Sequence, residues 1–328
     1  MHNMPKAILP DPHSVKSKFP SVVSLAIAVL ALFLACGTAW ASAPIRIECV
    51  GDSITAGYTD NPAWHVPFEF GYRSGLYTRL TNAGITFQFV GASPEPWSGV
   101  FGVPTNTPSL DLRTVGQDHH RGYGGWGTSS VLSNIRGWLA ADNPDVILLM
   151  IGINDGGSVT ARTTLSNIVQ TIVNTKPNAG VIVAQITPMA SFSQTIMDYN
   201  SYIRNTLVPS FRARGMHVST VNQYINLLTN GVIDSSLFSN GINHPNAVVY
   251  ERMAQTWYDG MMASIPRELQ ISFSGSTVTL AWSPTAASDR LQSALAPTGA
   301  WDDVAGSPNP PYTTNATAAQ LFFRVKVE

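Results

Sequence analysis

Short apolar runs alternate with longer helix-like segments from Ile45 to about Pro266. The apolar runs are rich in β-branched residues, have the length of strands and are mostly bounded by Gly, Pro or Asn. Five runs are predicted as strands: IRIECVG, TFQFVGA, PDVILLMIG, AGVIVAQI and MHVSTV. Helices are predicted over residues 71–83, 128–141, 160–175, 196–214 and 246–264. The alternation predicts an α/β fold in which helices cover both faces of a five-stranded parallel sheet.

Polar motifs follow the predicted strands or precede the last helix. They are GDSIT (51–55), RGYGGWGT (121–128), GIND (152–155) and NGINHPN (240–246). Ligands of such sheets bind outside the carboxyl ends of the strands. We therefore expect the four motifs to meet at one edge of the sheet.

The motifs contain the groups that a serine nucleophile needs. Ser53 would need a base within hydrogen-bond reach and donors for the oxyanion that forms on attack. His244 is a base at neutral pH, and Asn154 offers an amide donor. A glycine in GYGGWG permits close approach of a backbone N–H, and the Ser53 N–H is a further donor. A helix cap and a phosphate ligand are the alternative roles of Ser53, and the chain contains no G-x-S-x-G elbow of α/β-hydrolases.

The ordered set of motifs resembles the SGNH hydrolases, also called the GDSL family. The matching blocks are Gly51-Asp52-Ser53 (with Ile54 where the family often has Leu), Gly125, Gly152-Ile153-Asn154-Asp155 and His244-Pro245-Asn246. The resemblance implies a flavodoxin-like three-layer α/β/α fold and ester hydrolysis without a cofactor. It further implies that Ser53 attacks, that His244 is the base, and that Gly125 and Asn154 join the Ser53 N–H in the oxyanion hole. Within the family, GYRSGLYTRLTNAG, FVGA, DHHRGYGGW and LLMIGIND most resemble secreted esterases that deacetylate xylan and related polysaccharides.

One position departs from the family pattern. The family usually has an aspartate three residues before the histidine, where this chain has Gly241. Asn240 lies four residues before His244, and the nearest upstream carboxylate is Asp234. The imidazole would then be oriented by Asn240, by Asp234 or by a backbone carbonyl. A weakly active or non-catalytic protein is the remaining alternative, because exchanging Asp for Asn in a serine triad lowers turnover about 10⁴-fold.

Composition narrows the class of protein. The 328 residues are 44% hydrophobic with a formal net charge of −1, and this near-neutral charge argues against a nucleic-acid binder, which needs a basic face to neutralise phosphates. Two long connections, residues 58–70 and 92–127, are predicted as ordered loops over a site. Their aromatic residues are Trp64, Phe68, Phe70, Trp97, Phe101 and Trp126.

Asp118-His119-His120 has no further His/Cys cluster to complete a metal site, so a structural or substrate-facing role is expected.

The chain is predicted to have three parts. Residues 1–43 have the lysines, the apolar run and the Ala39-Trp40-Ala41 spacing of a secretory signal peptide, which predicts a secreted or periplasmic protein without a membrane span after cleavage. An uncleaved anchor and lipidation at Cys36 are the alternatives. Residues 44–266 form the hydrolase domain. Residues 267–328 alternate with period two and predict a small β-rich module, either a stabilising appendage or a carbohydrate-binding unit.

The sequence hypothesis is a secreted serine esterase that removes acetyl groups from a polysaccharide or oligosaccharide. A lysophospholipase or thioesterase is the alternative enzyme, and a non-catalytic carbohydrate-binding protein is the alternative outside catalysis. Cys49 lies in the first predicted strand and is expected to be a small buried apolar residue.

Overall fold

The computed structural model describes residues 43–58, 70–95, 111–264, 268–283, 289–305, 310–315 and 321–326. The predicted signal segment through residue 42, including Cys36, lies outside the described residues. So do residues 59–69 and 96–110, which contain Trp64, Phe68, Trp97 and Phe101.

A parallel sheet forms the centre of the fold. Its main strands are β1 (Ile45–Gly51), β2 (Phe87–Val90), β4 (Val146–Met150), β5 (Gly180–Gln185) and β6 (Val218–Asn222). They pair in the order β2-β1-β4-β5-β6, and every pairing is parallel. Numbered without the two-residue strand β3 (Arg121–Gly122), this is the flavodoxin-like order 2-1-3-4-5. The predicted fold class is confirmed, and each observed strand overlaps its predicted run.

The burial of the central strands explains why they could be predicted from the sequence. All five residues of β4 are buried, as expected for a central parallel strand with helices on both faces. Cys49 in β1 is fully buried as predicted, and burial raises the pKa of its thiol to about 12.

Helices cover the sheet. They are α1 (Ser53–Ala56), α2 (Tyr72–Asn82), α3 (Thr128–Asp142), α4 (Val159–Thr175), α5 (Gln194–Tyr202), α6 (Val208–Arg212) and α7 (Ala247–Ser264). The segment predicted as one helix over 196–214 contains a π-helical turn, Ile203–Leu207, between α5 and α6. Pro209 explains the irregularity, because proline has no N–H to donate to the carbonyl of residue 205. Within the described ranges, no helix is long and apolar enough to cross a bilayer.

The short strand β3 (Arg121–Gly122) was not predicted. Strand β2 pairs with β1 only as far as Glu48, and β3 pairs with the next part of that edge, at Val50 and Gly51. The pairing places the glycine-rich segment 121–127 directly beside the end of β1.

The C-terminal strands form two antiparallel sheets of three strands each, in the orders β13-β10-β9 and β12-β11-β14. Their bounds are β9 (Glu268–Ser274), β10 (Thr277–Ser283), β11 (Arg290–Ala294), β12 (Asp302–Asp303), β13 (Tyr312–Asn315) and β14 (Phe322–Lys326). Strands β9 and β10 pair across a turn at residues 275–276, as their alternation predicts. Val278, Leu280, Trp282 and Leu291 form an apolar cluster of their own. The division of the chain at residue 266 stays a prediction.

Candidate active site

Ser53 stands at the turn from β1 into α1. Asp52 is the N-cap residue of this helix, and its carboxylate accepts a hydrogen bond from the Ile54 N–H at 3.0 Å. The Ser53 N–H lies in the first helical turn, where backbone donors have no acceptor within the helix. This donor is therefore available to a ligand atom beside the Ser53 hydroxyl.

Asp52 is buried beside the serine. Burial raises the pKa of its carboxyl to about 7, and the nearby carboxylate of Asp155 acts in the same direction. Its hydrogen bond to the helix explains its presence in the motif, as expected for a residue at a turn.

His244 meets Ser53 across the molecule. The Ser53 Oγ lies 2.7 Å from the His244 Nε2, although 191 residues separate them in the chain. Both side chains are buried, with 3% of Ser53 and 7% of His244 exposed. A hydroxyl within hydrogen-bond distance of an imidazole nitrogen is the arrangement that activates a serine nucleophile.

Main-chain hydrogen bonds fix the loop that carries His244. The Ser239 N–H donates to the His244 carbonyl at 2.9 Å, and the Asn246 N–H donates to the Leu237 carbonyl at 2.9 Å. The Ala190 N–H, in the connection after β5, donates to the Ile242 carbonyl at 2.7 Å. The histidine is thus held both by its own loop and by the carboxyl end of the sheet.

Asn240 lies at the head of this loop and binds its backbone. The Asn240 Oδ1 accepts from the N–H groups of Ile242, Asn243 and His244 at 2.9, 3.0 and 2.9 Å. Gly241 has φ of 70°, a left-handed conformation that glycine adopts readily in a tight turn. Because three donors converge on one amide oxygen, the observed contacts link Asn240 to the His244 main chain. Its role in orienting the imidazole stays a prediction.

Asp234 has a similar role in a neighbouring turn. One carboxylate oxygen accepts from the Ser236 N–H at 3.0 Å and from the Ser236 hydroxyl at 2.6 Å, and the other accepts from the Thr229 hydroxyl at 2.7 Å. These hydrogen bonds lower the pKa of the exposed carboxyl. The contacts assign Asp234 to capping the short helix Ser235–Leu237.

Two of the three predicted oxyanion donors, Gly125 and Asn154, lie on adjoining segments. The Asn154 Nδ2 donates to the Trp126 carbonyl at 2.8 Å, and the Asp155 carboxylate accepts from the Thr128 N–H at 2.8 Å. An amide nitrogen carries two hydrogens, so the first of these contacts leaves one for an oxyanion. The GIND motif and the glycine-rich segment are therefore joined.

Two glycines make this arrangement possible. A Cβ on Gly122 would lie 2.6 Å from the Ala56 nitrogen, so β3 could not pack against α1 with a larger residue there. Gly125 has φ of 73°, a left-handed conformation that side chains disfavour, although among the described residues no atom beyond its chain neighbours lies within 4 Å of the position that a Cβ would take.

Glu95 and Tyr58 join the site, and neither was predicted from a sequence motif. The Glu95 Oε2 accepts from the Tyr58 hydroxyl at 2.8 Å and from the Gly124 N–H at 2.5 Å. The Tyr58 ring meets the His244 imidazole edge to face, with centroids 5.9 Å apart. The Tyr58 N–H also donates to the Ser53 carbonyl at 2.9 Å. The one sequence signal for Glu95 was its position just beyond the carboxyl end of β2.

His120 has a structural role. Its Nδ1 accepts from the Gly122 N–H at 2.9 Å, so the proton is on Nε2, which donates to the Glu95 carbonyl at 2.5 Å. Burial holds the pKa of this imidazole well below its usual range, and it is therefore neutral. Among the residues that the structure describes, no group of three or more His, Cys, Asp or Glu could hold a metal ion.

Known proteins share this sequence pattern and fold. Residues 49–252 match the model of the GDSL-like Lipase/Acylhydrolase family. The structure is similar to a family 3 carbohydrate esterase of Clostridium thermocellum, with 30% identity, a TM-score of 0.52 and coverage of 67% of this chain and 96% of that one. A family 3 carbohydrate esterase of Talaromyces cellulolyticus shares the fold, with 19% identity and a TM-score of 0.51. The match covers 66% of this chain and 95% of that one.

One curated protein matches over a shorter region. It is provisionally named endoglucanase X, comes from Acetivibrio thermocellus, and is 41% identical over 76 residues. The match covers 22% of this chain and 32% of that protein, so this chain spans about a third of the length of its curated relative.

Proposed function

Because the chain belongs to the GDSL-like lipase/acylhydrolase family and is a carboxylic ester hydrolase, we propose that it removes acetyl groups from a plant polysaccharide or its oligosaccharides. The observation that carries the proposal is the 2.7 Å contact between the Ser53 hydroxyl and the His244 imidazole. The similarity to a carbohydrate esterase at 30% identity supports a sugar ester as substrate.

The reaction proceeds in two stages in this proposal. The Ser53 Oγ attacks the ester carbonyl carbon while His244 Nε2 takes the hydroxyl proton. The oxyanion accepts hydrogen bonds from the N–H groups of Ser53 and Gly125 and from the second amide hydrogen of Asn154. The C–O bond to the sugar then breaks, and His244 returns the proton to the leaving alcohol.

Water completes the cycle. His244 takes a proton from the water as its oxygen attacks the acetyl group on Ser53, and the same donors receive the second oxyanion. Collapse of this intermediate releases acetic acid, which ionises to acetate in water, and His244 returns its proton to the Ser53 oxygen. We propose that the protein works outside the cell or in the periplasm, since residues 1–43 have the pattern of a signal peptide.

The proposal is tested with 4-nitrophenyl esters of increasing acyl length, assayed beside acetylated xylan. We expect hydrolysis of the acetyl ester, a rate of hydrolysis that falls steeply as the acyl chain becomes longer, and release of acetate from xylan. A preference for long chains would instead identify a lipid acyl hydrolase. Complete inactivity of the folded protein would favour a non-catalytic carbohydrate-binding protein.

The nucleophile is tested with Ser53→Ala. This variant should lose hydrolysis of both substrates without loss of folding, because it removes only the reacting oxygen. Ser133→Ala is the matched control, since Ser133 is exposed on α3 and donates to the Ser129 carbonyl within the same helix. Wild-type turnover in pure Ser53→Ala protein would refute the mechanism.

A further inference from the structure

Three aromatic rings form a cluster beside the proposed oxyanion donors. Tyr123 and Trp126 have ring centroids 4.3 Å apart, and Trp138 lies 5.5 Å from Tyr123 and 5.8 Å from Trp126. The rings are nearly parallel, with interplanar angles of 17–21°. Trp138 is buried, whereas Tyr123 and Trp126 are only partly buried. Two members of the cluster therefore reach the protein surface.

A buried ion pair supports the cluster from behind. The Arg121 guanidinium lies 5.4 Å from the Trp138 ring centroid and makes two hydrogen bonds to the Asp142 carboxylate, at 2.6 and 3.0 Å. Both charged side chains are buried, and Arg121 belongs to β3. The aromatic surface is thus held on the sheet by groups with little freedom to move, so a ligand would lose little free energy in ordering it.

Trp126 is linked to the site through its backbone. It follows Gly125, and its carbonyl accepts the hydrogen bond from Asn154 Nδ2 at 2.8 Å. Its N–H donates to the Tyr123 carbonyl at 3.3 Å, which closes the turn that contains Gly125. The indole therefore belongs to the same short turn as Gly125, and the backbone of this turn is hydrogen-bonded to Asn154, so it adjoins two of the groups that would bind the oxyanion.

We propose that Trp126, supported by Tyr123, forms a subsite that binds a pyranose ring of the substrate next to the acetylated sugar. This inference rests on the proposed function and specifies how its substrate is recognised. An indole has a flat apolar face and one N–H donor at its edge. A pyranose ring likewise has an apolar C–H face surrounded by hydroxyls, so the two surfaces match in shape and polarity. A fatty acyl chain would instead require a concave apolar channel.

The kinetic test compares two substrates of the same enzyme: acetylated xylotetraose, which can reach the subsite, and 4-nitrophenyl acetate, which cannot. The measured quantity is the ratio of their kcat/KM values. Trp126→Ala should lower this ratio roughly tenfold or more, as for a buried aromatic anchor, and Trp126→Phe should retain most of it. Tyr224→Ala is the matched control, because Tyr224 is a partly buried aromatic residue following β6 and should leave the ratio unchanged. If Trp126→Ala leaves the ratio of the two kcat/KM values unchanged, even with both activities lower, the proposed subsite is wrong.

A binding test separates the subsite from the proposed reaction. Unacetylated xylotetraose is titrated calorimetrically into Ser53→Ala and into the double variant Ser53→Ala/Trp126→Ala. Affinity should fall about tenfold in the double variant, and equal affinities, or no binding to Ser53→Ala, would overturn the subsite. If binding depends on Trp126 while the wild-type protein releases no acetate from the acetylated sugar, the subsite stands and the proposed function fails.

Discussion

The Asn154 side chain brings two amide hydrogens to the candidate site. One amide hydrogen is donated to the Trp126 carbonyl, which connects two motifs of the chain. The second amide hydrogen is the one proposed to bind the oxyanion. A donor that acts in the transition state affects turnover more than substrate affinity.

Asn154→Ala should lower kcat by roughly 10²–10³ with little change in KM, measured with 4-nitrophenyl acetate. The matched control is Asn134→Ala, because Asn134 is exposed on α3 and its amide donates to the Ser130 carbonyl within that helix. A pure rise in KM would make Asn154 a substrate-binding residue.

Asn240 is the residue at which the chain departs from its family. Asn240→Ala would leave three loop N–H groups without their acceptor, including that of His244. We therefore expect a lower kcat. Asn240→Asp should raise kcat, because a carboxylate can accept the same hydrogen bonds and its charge favours the imidazolium that forms during attack. Mass spectrometry of the peptide must accompany the kinetics, since Asn-Gly pairs deamidate to aspartate.

Asp234→Ala is the matched control for this prediction. Asp234 also caps a turn, with hydrogen bonds to Thr229 and Ser236, and its loss should change kcat little. If Asp234→Ala is as damaging as His244→Ala, Asp234 orients the imidazole and the account of Asn240 is wrong.

At the scale of elements, the segment 93–95 binds the glycine-rich segment to the rest of the site. The Ser93 N–H donates to the His120 carbonyl at 2.9 Å, and the Ser93 hydroxyl donates to the Gly122 carbonyl at 2.7 Å. Glu95 then accepts from Gly124 and Tyr58. One short segment after β2 thus joins the turn with Gly125 to a ring that contacts His244.

Glu95→Gln should lower kcat about tenfold, because the neutral amide loses the charge that strengthens both hydrogen bonds and the Gly125 N–H is then held less firmly. The measurement is kcat and KM with 4-nitrophenyl acetate. Glu251→Gln is the matched control, since that carboxylate pairs with Arg79 at 2.5 Å between α2 and α7. Equal activity of Glu95→Gln and wild type would show that segment 93–95 does not position the site.

At the scale of the whole molecule, the described residues contain two separate apolar cores. The larger surrounds the parallel sheet and extends along the chain as far as Met262, whereas the smaller consists of residues from Leu269 onward. Each proposed catalytic group belongs to the part of the chain before residue 266.

A chain ending at residue 266 should therefore fold and keep kcat/KM for 4-nitrophenyl acetate within about twofold of the full chain, because its core contains no residue from the C-terminal strands. Thermal unfolding by circular dichroism checks folding, and the kinetics check the site. An aggregated or inactive truncated chain would show that the C-terminal strands stabilise the hydrolase part, and a selective loss on acetylated xylan would indicate that they bind carbohydrate.

The features that the sequence predicted correctly depend on neighbours along the chain. The β-branched apolar runs predicted all five main strands, since burial on both faces leaves a continuous apolar pattern such as VILLM. The resemblance of GDS and HPN to family blocks predicted that Ser53 and His244 meet, and the structure brings them to 2.7 Å.

Only the tertiary structure decided the contacts between segments that have no local pattern. Strand β3 is two residues long and forms because β2 leaves part of the β1 edge open. Glu95 reaches Gly124 and Tyr58 across 29 and 37 residues, so its position after β2 could not indicate which partners it would bind. The Asn240 side chain accepts from three N–H groups of its own loop, contacts that no pattern in the sequence indicated. Local sequence patterns indicate which side chains are buried. The partner of a polar group depends instead on which distant segments the packed core brings together.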